Sequence, residues 1–162
     1  MADNLTHVDG AGKLSMVDVS GKPVQRRTAR ARGRIRLSAN TVALIRENQI
    51  KKGDVPAAAR FAGIQAGKQT GCLIPLCHPL PLDRVDVQAC LTPEGVEVTS
   101  EVVCVGRTGV EMEALTAVSV ALLTIYDMCK SVDKQMCIGD IVLIEKVKED
   151  VNSGKGAPED GQ

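Results

Sequence analysis

The run "TGVEMEALTAVSVALLTIYDMCKSV" limits what this chain can fold into more than any other stretch. Its middle, "ALTAVSVALLT", is apolar or small nearly all round, and charge appears only at the ends: Glu111 and Glu113 at one, Asp127 and Lys130 at the other. A helix with no broad polar face has to be covered on several sides, so this one is expected to lie against a sheet with a neighbouring subunit on its other side. Glu113 and Asp127 fall on nearly the same helical face yet roughly 21 Å apart, too far for one small substrate to reach both easily. Two readings follow. Either the end charges are solvated groups that complement the helix dipole, or each end joins a different site completed by another part of the fold or by another chain.

The rest of the sequence has to supply the covering sheet. At 162 residues the chain fits one domain. Because 44% of it is hydrophobic and only 1% aromatic, its core must be built of Val, Leu, Ile, Ala and Met. "TARARGRIRLS" alternates strictly, with Arg30, Arg32, Arg34 and Arg36 on one side and Ala29, Ala31, Gly33, Ile35 and Leu37 on the other, which predicts a strand with one basic face. Ser38 caps a helix through about Asn48, and Asp54 with Pro56 opens a second in "VPAAARFAGIQAGKQ". "LIPLCHPLPL" holds Pro75, Pro79 and Pro81 and is expected to run extended. "RVDVQACL" and "VEVTSEVVCV" flank the turn "TPEG" as a hairpin, and "IVLIEKV" is a last strand after the long helix. The order strand, helix, helix, strand, strand, helix, strand is a split βαβ plan: a ferredoxin-like α+β domain, an antiparallel sheet with helices on one face and one extra helix. It is expected over residues 26–148, between a polar, partly mobile N-terminal segment (1–25) and a flexible C-terminal tail (149–162).

Composition excludes some functions. Twenty basic residues balance twenty acidic ones, so no net field draws the chain to nucleic acid or membrane. Phe61 and Tyr126 are the only aromatics, too few for a base-stacking platform. The start, "MADNLTHVDG", lacks the basic and apolar regions of a signal peptide, and no window reaches the apolar length of a membrane span. The chain is read as cytoplasmic. Its six cysteines form no CxxC pair and suit reduced, buried thiols, and no zinc spacing joins them to His78.

Three constellations carry chemistry. His78 sits in a proline-stiffened loop, a good mount for an accurately placed side chain, although a lone histidine is often structural. Lys51 and Lys52 are adjacent in "KKGD", where each disfavours the other's charged form and so moves a lysine toward use as a general base; a solvated loop tip is the plain alternative. The arginine ladder fits a nucleotide triphosphate, a nucleic acid or a solvated strand face.

Taken together, "MVDVS", "KKGDV", "AGIQAGK", "LIPLCHPL" and "GVEMEALTAVSVALLTIYDMCKSVDK" closely resemble the cyclic pyranopterin monophosphate synthases, the MoaC family of molybdenum cofactor biosynthesis, from about Leu5 to Lys146. The resemblance implies a lyase that rearranges 3′,8-cyclo-7,8-dihydro-GTP, supplied by a radical enzyme, to cyclic pyranopterin monophosphate with release of pyrophosphate. It implies a homohexamer, a trimer of dimers, with active sites at the dimer interface; that would give each end of the long helix its own role. Lys52 and Lys130 resemble the family's two proton-transfer or polarising lysines, with Asp127 tuning Lys130. Leu76, Cys77 and His78 match the substrate-contacting "LCH", and Met112 and Glu113 the contacting "ME", with Glu113 toward the guanine-derived edge and Glu111 assisting. Asp18 matches within "MVDVS". Arg27 suits the triphosphate, with the adjacent Arg26 the alternative. The resemblance implies no metal site in the protein and no tightly bound cofactor, with Mg²⁺ only as a companion the triphosphate could bring. The tail "VNSGKGAPEDG" departs from the Gly/Lys-rich family ending, so it is given no ligand contact.

Overall fold

The alternation around the arginine ladder forms the strand it predicts. In the computed structural model, which describes residues 13–151, β1 (Gln25–Arg36) buries Arg27, Ala29, Ala31, Gly33 and Ile35 and exposes Arg26, Arg30, Arg32, Arg34 and Arg36. Residues 1–12 and 152–162, on which about half of the expected mobile N-terminal segment and most of the expected flexible tail fall, lie outside the described residues.

The helices that follow start where their caps stand. The Ser38 hydroxyl accepts from the Thr41 N–H at 3.2 Å to open α1 (Ala39–Arg46), and the Asp54 carboxylate accepts from the Ala57 N–H at 2.9 Å to open α2 (Val55–Lys68). A one-turn helix, α3 (Thr70–Leu73), then reaches into the proline-rich segment. Leu73 is thus helical and a turn follows, with the Cys77 N–H donating to the Ile74 carbonyl at 3.0 Å. This corrects the expectation of an extended run from Leu73: the first proline, Pro75, comes after the helix has ended, so it does not oppose it. From Cys77 to Leu82 the chain forms neither helix nor strand.

Strands β2 (Arg84–Thr92) and β3 (Gly95–Gly106) pair through the two-residue turn Pro93–Glu94. Gly95, at φ +149°, lies so close to the Ile35 backbone that a Cβ would collide with it. Helix α4 (Glu111–Cys129) and β4 (Cys137–Asp150) complete a four-stranded antiparallel sheet in the order β2-β3-β1-β4. Each crossover skips one strand, which is the ferredoxin-like α+β arrangement.

Helices α2 and α4 share one face of the sheet, and the small residues of α4 are explained by how close α2 comes. Ala59, Gly63, Ala66 and Gly67 of α2 are buried, as are Ala114, Ala117 and Ala121 of α4, and a Cβ on Gly63 would stand 2.9 Å from the Ala117 carbonyl. Helix α4 has the length and hydropathy to cross a membrane, contrary to the expectation from the sequence, but half of it is buried inside the fold. What remains open is a stripe along Met112, Ser119, Leu123, Tyr126, Asp127 and Lys130, with Leu123 58% exposed.

The opposite sheet face carries the arginine ladder, and neighbouring strands neutralise it. Arg30 bonds Glu101 at 2.6 Å and Glu145 at 2.9 Å, Arg84 pairs with Glu101 at 3.2 Å, Arg26 with Glu149 at 3.6 Å, and Arg34 with Asp140. These exposed pairs add little stability each, but they remove the unbroken positive surface that a polyanion would need.

Candidate active site

Two clusters of the expected residues form, one at each end of α4. At the carboxyl end, Ile50–Gly53 is a tight turn, with the Gly53 N–H donating to the Ile50 carbonyl at 2.9 Å and Gly53 at φ +100°. This turn sends Lys52 toward the end of the helix. Its ammonium donates to the Asp127 carboxylate at 2.6 Å and to the Asp127 carbonyl at 2.8 Å, while Lys130, one turn on, binds the other carboxylate oxygen at 2.6 Å. Hydrogen bonds from Lys130 and then Lys52 hold the Asp127 carboxyl down at about 2. The same contact raises Lys130, so it is kept as an ammonium, suited to donating a proton or polarising an oxygen. All three side chains are about half exposed and unshielded by their own chain.

At the amino end, a cleft of about 420 Å³ is lined by Leu76, Cys77, His78, Glu111, Met112 and Glu113 together with Val17, Val19, Lys22, Thr108 and Gly109. The turn after α3 delivers "LCH", and the first turn of α4 delivers "EME". Glu113 is 4% exposed, and burial, with repulsion from Glu111 acting the same way, pushes its carboxyl up while its own N–H pulls it down. Burial also raises the Cys77 thiol, which fits an uncharged wall group rather than a nucleophile. His78 Nε2 lies 2.9 Å from the Val17 carbonyl. A carbonyl can only accept, so Nε2 carries the hydrogen and Nδ1 is the nitrogen left for a ligand.

Asp18 and Arg27 sit beside this cleft without lining it. Asp18 is exposed, its carboxylate folded back on the Ser20 N–H at 2.8 Å, which with the Ser20 hydroxyl lowers its pKa. Arg27 and Arg26 face opposite sides of the sheet. Arg27 is 8% exposed on the helix side with its Nε unpartnered, and one Nη reaches the Arg107 carbonyl at 3.5 Å; Arg26 lies on the ladder face. The Asp127–Lys130 pair and Glu113 are separated by the helix, roughly 21 Å at its rise per residue, so one chain does not bring the two clusters together.

The sequence from 16 to 149 matches the MoaC family. The chain belongs to that family. The MoaC chain is 56% identical over 144 residues to the cyclic pyranopterin monophosphate synthase of Novosphingobium aromaticivorans, covering 89% of this chain and 92% of the relative. It is 57% identical over 146 residues to the enzyme of that name from Heliobacterium modesticaldum, again 89% and 92%. It is also 57% identical over 143 residues to cyclic pyranopterin monophosphate synthase 1 of Mycobacterium tuberculosis, 88% and 84%.

Several residues around the MoaC cleft were not singled out from sequence. Lys146 of β4 pairs with the Glu111 carboxylate; strict alternation from Ile141 would put it on the opposite face, and the register shift at Arg30/Ala31 turns it to the helix side. Gly109 has no room for a Cβ beside that same carboxylate. Lys22 lines the cleft from a segment without regular structure, for which periodicity gives no signal.

Proposed function

We propose that this protein forms cyclic pyranopterin monophosphate from 3′,8-cyclo-7,8-dihydro-GTP with release of pyrophosphate, as a lyase of molybdenum cofactor biosynthesis. Identity of 56–57% to relatives bearing that enzyme name, over most of both chains, supports the activity. The observation that carries the mechanism is the placement of acid/base groups at both ends of α4. Ring rearrangement needs proton transfers at nitrogen, carbon and oxygen around one ligand. Lys130, held as an ammonium by Asp127, acts as donor or polarising cation, and Lys52 on the same carboxylate acts as its partner in proton transfer.

His78 Nδ1, Glu113 and the apolar wall of Leu76, Cys77 and Met112 receive the guanine-derived part. A Glu113 carboxyl raised by burial can present both an O–H donor and an acceptor to an amide edge. Arg27 supplies buried positive charge behind the cleft. The sugar hydroxyl attacks the α-phosphorus to close the cyclic phosphate, and the cationic groups stabilise the departing pyrophosphate.

One complete site takes the Lys52–Asp127–Lys130 cluster from one chain and the cleft from another, in a homohexamer built as a trimer of dimers. The open stripe of α4, with Leu123 and Tyr126 between the two clusters, is the surface such a partner would cover. The acidic groups of the cleft fit a resident divalent ion poorly: Glu111 is paired with Lys146, and burial opposes the charge on Glu113. No step therefore passes through a metal, and no tightly bound cofactor is invoked. The protein is taken to act in the cytoplasm.

The test is incubation of purified protein with 3′,8-cyclo-7,8-dihydro-GTP beside Lys52→Ala and Lys130→Ala. Pterin and pyrophosphate in equal amounts from wild type, with neither from folded variants, is the expected result. A folded wild type that leaves the substrate unchanged refutes the proposal.

A further inference from the structure

Residues 17–22 form one wall of the cleft although they belong to no strand or helix. Their carbonyls have no ladder partners, and a partly covered carbonyl needs a donor. Two side chains provide it. His78 reaches the Val17 carbonyl at 2.9 Å, and a single Nη of Arg107 donates to the Lys22 carbonyl at 2.9 Å and to the Ser20 carbonyl. Between these points the segment is braced by its own turn, with the Ser20 N–H on the Asp18 carboxylate at 2.8 Å and the Lys22 N–H on the Val19 carbonyl at 3.0 Å. Val17 and Val19 face the cleft, and Asp18 faces out.

Arg107 lies in the loop between β3 and α4, and only its neighbours Thr108 and Gly109 line the cleft. Its own guanidinium is occupied by the two carbonyls. The charged residue that lines the cleft from the clamped turn is Lys22, which forms no ion pair among the described residues. We infer that Arg107 is a positioning residue that clamps the 17–22 segment over the cleft and thereby fixes where the Lys22 ammonium meets an anionic group of the substrate. It works by geometry, so its loss loosens binding of an anionic ligand without removing an acid or base from the reaction.

The inference rests on the proposed activity for its kinetic arm only. On the full chain, Arg107→Gln is expected to speed amide hydrogen exchange in residues 14–24 by about tenfold or more, as the loss of two charge-assisted hydrogen bonds implies, with exchange in α2 and α4 unchanged. It should raise KM about tenfold and leave kcat within about twofold, the pattern of lost binding rather than lost chemistry. Arg107→Lys keeps the charge on a shorter reach and should recover part of both effects. In a double-mutant cycle with Lys22→Met, the KM effects should be strongly non-additive.

Unchanged exchange in 14–24, a fall in kcat at unchanged KM, or additive effects with Lys22→Met would each overturn the assignment. If the wild type shows no turnover, the proposed activity fails, and the exchange measurement alone decides the clamp.

Discussion

Asp127 is the anion between two cations, and its removal has a direction. Its carboxyl is held at about 2 against an ordinary 3.8. A depressed carboxylate contributes fully above the unfolded value and loses its contribution as pH falls through the folded one. The cluster therefore stays paired above about pH 4, and any acid limb of activity nearer neutrality comes from other groups. Lys130 is shifted upward by the same contact, so its charge persists above the ordinary lysine value. Asp127→Asn should move the alkaline limb of kcat/KM to lower pH, which a pH–rate profile of wild type and variant would show; an unmoved limb contradicts the pairing. Glu113 carries the opposite sign. Its raised carboxyl favours the folded state below the ordinary 4.5 and disfavours it once pH passes the folded value. Glu113→Gln should therefore raise Tm relative to wild type more at pH 8 than at pH 4.5, measured by thermal melts at the two pH values.

At the scale of elements, the seam between α2 and α4 fixes how the two ends of α4 are presented. Gly63 faces the Ala117 carbonyl, a backbone atom that cannot turn aside, whereas Gly33 of β1 faces the side-chain ends of Leu122, Val118 and Ile141. Gly63→Val should cost about 1–3 kcal/mol through overpacking, and more than Gly33→Ala; urea unfolding of both variants would show it, and equal midpoints would contradict the seam. Most of these elements were legible in the sequence because their signals are local. Alternating Arg and apolar residues gave β1, Ser38 and Asp54 gave the helix starts, and Pro93 with Gly95 gave the hairpin. The one-turn α3 was missed because four residues show no helical period. The candidate site was legible in part, and mostly through long family-like motifs: "LCH" and "EME" line one cleft, and Lys52 and Lys130 share the Asp127 carboxylate. Lys146 on Glu111 and Arg107 on the 17–22 segment were not, since both contacts join positions distant in sequence and neither leaves a periodic mark.

For the whole molecule, the sheet's two faces have different fates. The ladder face is nearly neutral through its pairs with Glu101, Asp140, Glu145 and Glu149, so binding to duplex DNA should be absent in a low-salt gel shift, where a bare arginine strand would bind with a steep salt dependence. The helix face holds both clusters of candidate residues, one at each end of α4. In the proposed assembly, one site forms only when the lysine cluster of one chain meets the cleft of another. Its most direct measurement is the turnover of 3′,8-cyclo-7,8-dihydro-GTP by mixed assemblies, purified through two tags after co-expression of Lys130→Ala and His78→Ala chains that are each inactive alone. In an isologous dimer, each mixed pair holds one intact site and one doubly defective site, and random pairing makes about half of the pairs mixed, so hexamers carrying both tags should recover about a quarter of the wild-type rate. Mixed assemblies as inactive as either parent would contradict the account and put a complete site within one chain.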